Sequence, residues 1–313
     1  MPCSGRVNIT DVPTIDMKII ECIPNFSEGR NRVIVESIVD AAARTDGVKI
    51  LDFSMDSDHN RSVLTFVGSP EATLRGAIAA CDKAAGLIDM RTHRGVHPRI
   101  GAVDVVPFVP LGNADMSNAV EIAHSFGDTF ARKHNVPVYF YGNASLSQER
   151  KKLADIRRGQ YETLEDKMDD PAWRPDISPD NSGFNRRLGA TAVGARPPLI
   201  AFNINLNSNN IELARDIAKS IRHSNGGFSH VQALGIFLES RDIAQVSMNL
   251  TDYETTSIRT IFDAVRQKAA EHGADILESE LIGLLPRSAI GDTTADYLKL
   301  LDFSEERIIE SHF

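Results

Sequence analysis

Cysteine is scarce in this chain: three in 313 residues, Cys3, Cys22 and Cys81, with no C-x-x-C pair among them. An odd, widely spaced set argues against a disulfide framework or a cysteine zinc site, and it fits a reducing compartment. Long apolar runs are missing too, since none approaches the roughly 20 residues that cross a bilayer. The opening Met-Pro-Cys-Ser-Gly-Arg has no apolar segment of a secretory signal, so a cytoplasmic protein without membrane attachment is expected. Positive charge is in deficit. A formal net charge of −9 disfavours nucleic acid as a general partner.

What the chain does have is 42% hydrophobic residues, enough to bury one large or two ordinary cores. Against its acidic background stands one dense segment, Arg91-Thr-His-Arg-Gly-Val-His-Pro-Arg-Ile-Gly-Ala-Val-Asp104. Pro98 stiffens the backbone beside His97 and biases that histidine away from helix. Gly95 and Gly101 supply the freedom that close approach to a ligand requires. An imidazole's ordinary pKa, about 6.5, suits both proton uptake and release near neutrality. A solvated basic loop is the plainer alternative. Local cationic focusing on an acidic protein points to a small anionic ligand.

Periodicity gives a repeated order of elements. Ile19 to Ile23 reads as a strand, Val33 to Ala43 as an amphipathic helix, and Val48 to Phe53 and Ser62 to Val67 as two further strands. Ser69-Pro70-Glu71 opens a helix with a serine N-cap and proline at its first position. Ala102 to Val109 is the fourth strand. This βαββαβ order is the ferredoxin-like split unit, extended by a helix from Ser117 to about Lys133 and a strand from Val136 to Tyr141. Residues 169–189 hold three prolines and no sustained period, as in a linker or binding loop. The order then returns from Leu199 to Ile282. The fold class expected is α/β (α+β), two split βαββαβ subdomains with a ligand cleft between them. Boundaries are set at 1–16 for a disordered leader, 17–188 for the first subdomain and 189–313 for the second.

Several long motifs resemble the glutamate formimidoyltransferase family. They are Glu21-Cys-Ile-Pro-Asn-Phe-Ser-Glu-Gly-Arg30, Asn60-Arg-Ser-Val63, Gly95-Val-His-Pro-Arg-Ile-Gly-Ala-Val-Asp-Val105, Pro137-Val-Tyr-Phe-Tyr-Gly142, Gly189-Ala-Thr-Ala-Val-Gly-Ala-Arg196, Ala201-Phe-Asn-Ile-Asn-Leu206 and Ala244-Gln-Val-Ser-Met-Asn-Leu250. The resemblance implies a cytosolic enzyme of histidine breakdown that moves the formimidoyl group of N-formimidoyl-L-glutamate onto tetrahydrofolate. It implies a homodimer with a folate tunnel, small-molecule partners and no metal. Animal members carry a further cyclodeaminase domain, for which this chain is too short, so transferase activity alone is expected. Met17 matches the family's usual start. Where animal sequences place an acid after Asp52 this chain has Ser54, with Asp56 and Asp58 close by.

The reaction requires one proton to leave N5 of the folate and another to reach the glutamate nitrogen. One imidazole can do both, and such positioned transfer contributes about 10²–10⁴ in rate. The resemblance places His97 in that role. Substrate binding is expected at Asn25, His59, Arg61, Arg99 and Asp104. Arg99 has two readings: it forks onto a substrate carboxylate, or it pairs with Asp104 and holds the loop. His59, in a charged turn beside Arg61, reads first as a surface histidine, and its place at a strand end keeps it a candidate. Folate contacts are implied at Ser178, Pro179, Phe184 and Gly189, and at Gly226, Gly227, His230, Val231, Gln232 and Gly235; for the glycine pair the simpler reading is a turn. Asn203, Asn205 and Asn249 lie on apolar strands and need partners. Two other functions stay open: a folate-binding protein without catalysis, and a metal-dependent amidohydrolase using His59, His93, His97 and Asp104. Against the second, Gly95 and Pro98 oppose the helix that an H-x-x-x-H metal pair needs.

Overall fold

The computed structural model describes residues 17–57, 59–95, 98–178, 184–238, 241–291, 293–301 and 303–312. The leader, Asp58, His97 and Pro179 lie outside the described residues. Contacts divide the chain into two compact units, with the boundary between Arg196 and Pro197.

The first unit begins with β1 (Lys18–Cys22) and β2 (Asn25–Phe26), one strand interrupted at Ile23-Pro24. Proline lacks the N–H a ladder needs, yet the Pro24 carbonyl still accepts from Leu64 N at 3.0 Å, and Ile23 N donates to the Pro107 carbonyl at 3.2 Å. Helix α1 (Arg32–Ala43) starts at Asn31, whose side chain accepts from Val33 N and Ile34 N, satisfying donors that would otherwise be orphaned. There follow β3 (Val48–Asp56), β4 (Arg61–Gly68), α2 (Pro70–Leu87), β5 (Val103–Gly112), α3 (Met116–His134) and β6 (Val138–Gly142). The expected Ser69 cap is present, accepting from Ala72 N. Two short helices, α4 (Leu153–Ile156) and α5 (Leu164–Asp169), lead to β7 (Thr191–Ala195).

These strands form one sheet in the order β3, β4, the interrupted β1/β2, β5, β7, β6. The pairs up to β5 are antiparallel, and β7 runs parallel to both β5 and β6. β7 is the strand the sequence reading missed. It is five residues of small side chains, Thr-Ala-Val-Gly-Ala, with too little apolar contrast to stand out. Its place inside this sheet carries the first unit to Arg196, past the boundary set at residue 188.

Each face of the sheet has its own core. The helical side packs Ile20, Cys22, Phe26, Phe66, Phe108 and Phe140 under α1–α3. Helix α2 turns the small side chains Ala77, Ala80, Cys81 and Ala84 inward, which lets it lie close to those rings. On the other side Ile156, Leu164 and the partly buried Phe184 pack over Ile100, Val105, Tyr139, Tyr141 and Ala192. Residues 148–173 therefore cover part of the face away from α1–α3.

The second unit contains β8 (Ile200–Leu206), α6 (Ile211–Ile221), β9 (Val231–Leu238), β10 (Ile243–Leu250), α7 (Ile258–Glu271) and β11 (Ile276–Ile282). Its sheet order is β11, β8, β10, β9, all antiparallel. Phe202, Ile204, Val246, Ile217, Ile261 and Phe262 form its core. Each such side chain contributes about 1.5–3 kcal/mol on burial.

Candidate active site

The charged segment after α2 is shaped by buried polar bonds. His93 is buried; its Nε2 lies 2.9 Å from the Asn60 carbonyl and its Nδ1 accepts from Arg99 Nε at 3.3 Å. A carbonyl only accepts, so Nε2 carries the proton and the ring is neutral. Burial lowers its pKa; the Asn60 carbonyl opposes this and the Arg99 charge adds to it. Asn60 adopts a left-handed φ of 50°. Its side chain accepts from Gly29 N at 3.0 Å and donates to the Arg94 carbonyl at 2.9 Å, tying this segment to the loop after β2. A cleft of about 540 Å³ opens there, lined by Ser27, Glu28, Arg30, Asn60 and His93 among others.

Arg99 does not pair with Asp104. Its guanidinium forks onto Glu162 at 2.8 and 2.5 Å and donates to Gln160 at 3.2 Å, while its carbonyl accepts from Tyr161 N at 2.8 Å. The segment that supplies Glu162 comes some 60 residues later, so no local pattern signals the partner. Of the other arginines in the charged segment, Arg91 is bound to Asp89 at 2.5 Å; farther along the chain Arg186 is bound to Glu165, also at 2.5 Å.

Asp104 occupies a bulge. Asn25 pairs with Val105 and Phe26 with Val103, leaving Asp104 as the extra residue between them. Its carboxylate accepts from Ile100 N at 2.8 Å and from Arg157, the residue capping α4, with Arg61 Nη1 at 3.9 Å. Arg61 in turn donates to the Asn25 side-chain oxygen, and Asn25 donates to the Ile23 carbonyl at 2.7 Å. Burial pushes Arg61 down to about 10, opposed by Asp104. Asn25, Arg61 and Asp104 thus meet on one sheet face. His59 is elsewhere: half exposed in the β3–β4 turn, with Nδ1 3.2 Å from Asp56.

Tyr141 joins the same face. The ring lies so close to Gly194 that a Cβ there would sit 2.4 Å from Tyr141 Cε1, so the phenol reaches across β7. Burial raises the pKa of the Tyr141 phenol, and the nearby positive charges of Arg196 and Arg157 oppose it. Glu21 feels Arg196 as well. Sequence reasoning assigned no role to Glu21, Tyr141 or Arg157. For Glu21 a signal existed, a lone acid inside the apolar run Ile-Ile-Glu-Cys-Ile; for Arg157 none did.

Residues 19–196 match the family described as Formiminotransferase domain, N-terminal subdomain, and residues 201–311 match Formiminotransferase domain. Between them these cover nearly the whole chain. The chain belongs to the formiminotransferase family. It is 44% identical to a glutamate formimidoyltransferase of Thermoplasma acidophilum, over 94% of this chain and 97% of that protein. Against the Streptococcus pyogenes serotype M1 glutamate formimidoyltransferase it is 41% identical, over 94% and 98%. The rat formimidoyltransferase-cyclodeaminase is 42% identical over 93% of this chain and 55% of its own length.

For a formiminotransferase, the positions expected to contact folate fall into contrasting settings. Ser178 is exposed. Phe184 is partly buried, 5.9 Å from the Tyr161 ring. Gly189 has φ 72° and pairs with Gly101 at the start of the sheet; a Cβ there would meet the Ile100 carbonyl at 2.2 Å. In the second unit Gly226 has φ 83° and open space, whereas a Cβ on Gly227 would meet the last turn of α6 at 2.4 Å. Val231 is buried in the core, Gln232 is exposed, and Gly235 lies against the backbone of Arg215. His230 is exposed, 3.9 Å from Asp252. Asn205 binds other side chains, accepting from Gln245 at 2.8 Å and donating to Glu278 and Glu280 at 2.9 and 3.0 Å. Among the described residues no group of three His, Cys, Asp or Glu is placed to hold a metal, and no helix is long and apolar enough to cross a membrane.

Proposed function

We propose that this chain is a glutamate formimidoyltransferase, moving the formimidoyl group of N-formimidoyl-L-glutamate to N5 of tetrahydrofolate to give 5-formimidoyltetrahydrofolate and L-glutamate. The observation that carries this reading is the match, at 44% and 41% identity over 94% of the chain, to two proteins bearing that name. Both are matched over almost their full length, so the likeness is not confined to one module.

The reaction forms a C–N bond at N5 and breaks the one to the glutamate nitrogen. N5 loses a proton and the glutamate nitrogen gains one. His97, in Gly-x-His-Pro-Arg, is proposed as the general base and then the general acid. The network from Arg99 through His93 to Asn60 holds the segment on either side of it. Arg61 supplies positive charge to orient the anionic donor, its guanidinium held by Asn25 of β2 and by Asp104. The strand orders β3-β4-β1-β5 and β11-β8-β10-β9 support a ferredoxin-like split unit in each half. A homodimer, a cytoplasmic location and a folate tunnel complete the proposal on family resemblance.

The test is a coupled assay with both substrates. Wild-type protein should release glutamate only when tetrahydrofolate is present, and His97→Ala should keep the fold and lose at least about 10² in turnover. Near-normal turnover in folded His97→Ala contradicts the assignment of the histidine.

A further inference from the structure

Three ion pairs tie the stretch 148–173 to the segments around it, and one of them is built differently. In Arg157–Asp104 and Arg150–Asp176 both partners are buried, each carboxylate being 3% exposed. In Arg99–Glu162 the guanidinium is 7% exposed and the carboxylate 55%. A buried guanidinium needs an anion, because a charge left uncompensated away from water is costly. The exposed carboxylate loses little on returning to water, since half-solvated ion pairs contribute little. Nor does the backbone under Glu162 depend on its side chain: Tyr161 N donates to the Arg99 carbonyl at 2.8 Å and the Tyr161 hydroxyl donates to the Arg186 carbonyl at 2.5 Å. Rotation of one side chain therefore frees two N–H groups of Arg99 and leaves the turn in place. The hydrogen bond from Arg99 holds the Glu162 carboxyl below the usual range, and the charge of the exposed Arg94 adds to this. Two arginines thus act on one carboxylate, in the segment that carries His97.

We propose that Glu162 is a resident stand-in for a substrate carboxylate: it sits on Arg99 where a carboxylate of N-formimidoyl-L-glutamate binds, and the two exchange. This deepens the function proposed above and rests on it. The Glu162 side chain ends in the same group as the glutamate portion of the donor. Its oxygens meet Nη1 and Nη2 of Arg99 at 2.8 and 2.5 Å, the planar fork that a guanidinium offers to any carboxylate. Exchange of one carboxylate for another keeps the buried guanidinium compensated, so the bond from Arg99 Nε to His93 is undisturbed. The donor carries two carboxylates, and Arg61 is the cation for the second. As Glu162 turns out to solvent, Arg94 and Arg99 both face the ligand. A carboxylate tethered beside its partner competes at high effective concentration, so Glu162 weakens donor binding for as long as it is charged.

The test compares wild type with Glu162→Gln, which keeps the shape and an acceptor for Arg99 and removes the competing charge. The KM for N-formimidoyl-L-glutamate should fall by at least about fivefold, the scale of an exposed ion pair, and kcat/KM should rise with it. Glu162→Ala should show the same direction. An unchanged or raised donor KM in folded variants, the result expected of a purely structural pair, overturns the proposal. Tetrahydrofolate also brings carboxylates, and its KM separates the two sources: a value within about twofold of wild type supports the donor, and a fall confined to the folate overturns the assignment. Calorimetry with glutarate, a dicarboxylate without the reacting group, reads the site apart from turnover. Affinity at least about fivefold higher in Glu162→Gln supports the proposal, and equal or weaker binding overturns it. Failure of the broader function appears separately, as protein whose glutarate affinity rises in the variant but which transfers nothing to tetrahydrofolate.

Discussion

Arg99 directs its Nε–H at Nδ1 of His93 across 3.3 Å, and the far nitrogen of that ring sits 2.9 Å from the Asn60 carbonyl. The ring is a strut between two segments, with both nitrogens occupied. His93→Ala strands a buried carbonyl and one buried guanidinium N–H, so a loss of about 1–3 kcal/mol is expected for each unsatisfied group. Urea unfolding reads that loss. A drop in turnover without a change in the pH optimum should accompany it, because the strut positions the segment and carries no reacting proton.

The lowered pKa of His93 sets a pH dependence. A histidine whose folded pKa is depressed contributes stability that is present above its unfolded value, about 6.5, and is lost as pH falls below it. Wild-type stability should therefore decline from pH 7 to pH 5, with a smaller decline in His93→Ala. Equal slopes for the two proteins would contradict a neutral buried ring.

Glu21 works in the opposite direction. Burial raises its folded pKa to about 7, with Arg196 pulling it down and the Cys22 thiol facing the other core. The stability contributed by the protonated form is complete below the unfolded value, near 4.5, and is lost as pH rises through about 7. Glu21→Gln should match wild type at pH 4.5 and exceed it at pH 8.5, by up to roughly 3 kcal/mol at 1.36 kcal/mol per pKa unit. Ligand-free melts at the two pH values check this.

Asp104 neutralises Arg157 and stands beside Arg61. Removing its charge with Asp104→Asn leaves buried guanidinium groups uncompensated, for which a loss of about 3–5 kcal/mol is expected. The double variant Asp104→Asn, Arg157→Met should be less damaged than the sum of its parts, with a coupling energy of about 0.5–3 kcal/mol. Additivity would mean the pair does not act as a unit.

Much of this was legible in the sequence. Helices α1, α2 and α3 and the strands around them announce themselves by period, and α2 also by its Ser69 cap, because burial of one face imposes that pattern locally. Asn25, Arg61 and Asp104 were singled out by the resemblance of their motifs to the family, and the sheet brings the three onto one face. What stayed hidden depends on contacts far apart in sequence. Arg99 has Glu162 as its partner and Asp104 has Arg157, both supplied by the weakly periodic stretch 148–173, and β7 is composed of residues too small to signal a strand. Gly227 and Gly235 show the converse: their lack of a side chain is explained by backbone contact with α6, with no ligand needed.

The central claim is transfer of an intact formimidoyl group, and the fate of a label decides it. The protein should be incubated with N-formimidoyl-L-glutamate carrying ¹³C at the formimidoyl carbon, with and without tetrahydrofolate, and the products resolved by mass spectrometry. The account expects the label on the folate, one glutamate released per labelled folate formed, and no consumption of donor when folate is withheld. Label recovered as formamide or formate, at a rate indifferent to tetrahydrofolate, would make the protein a hydrolase and contradict the account.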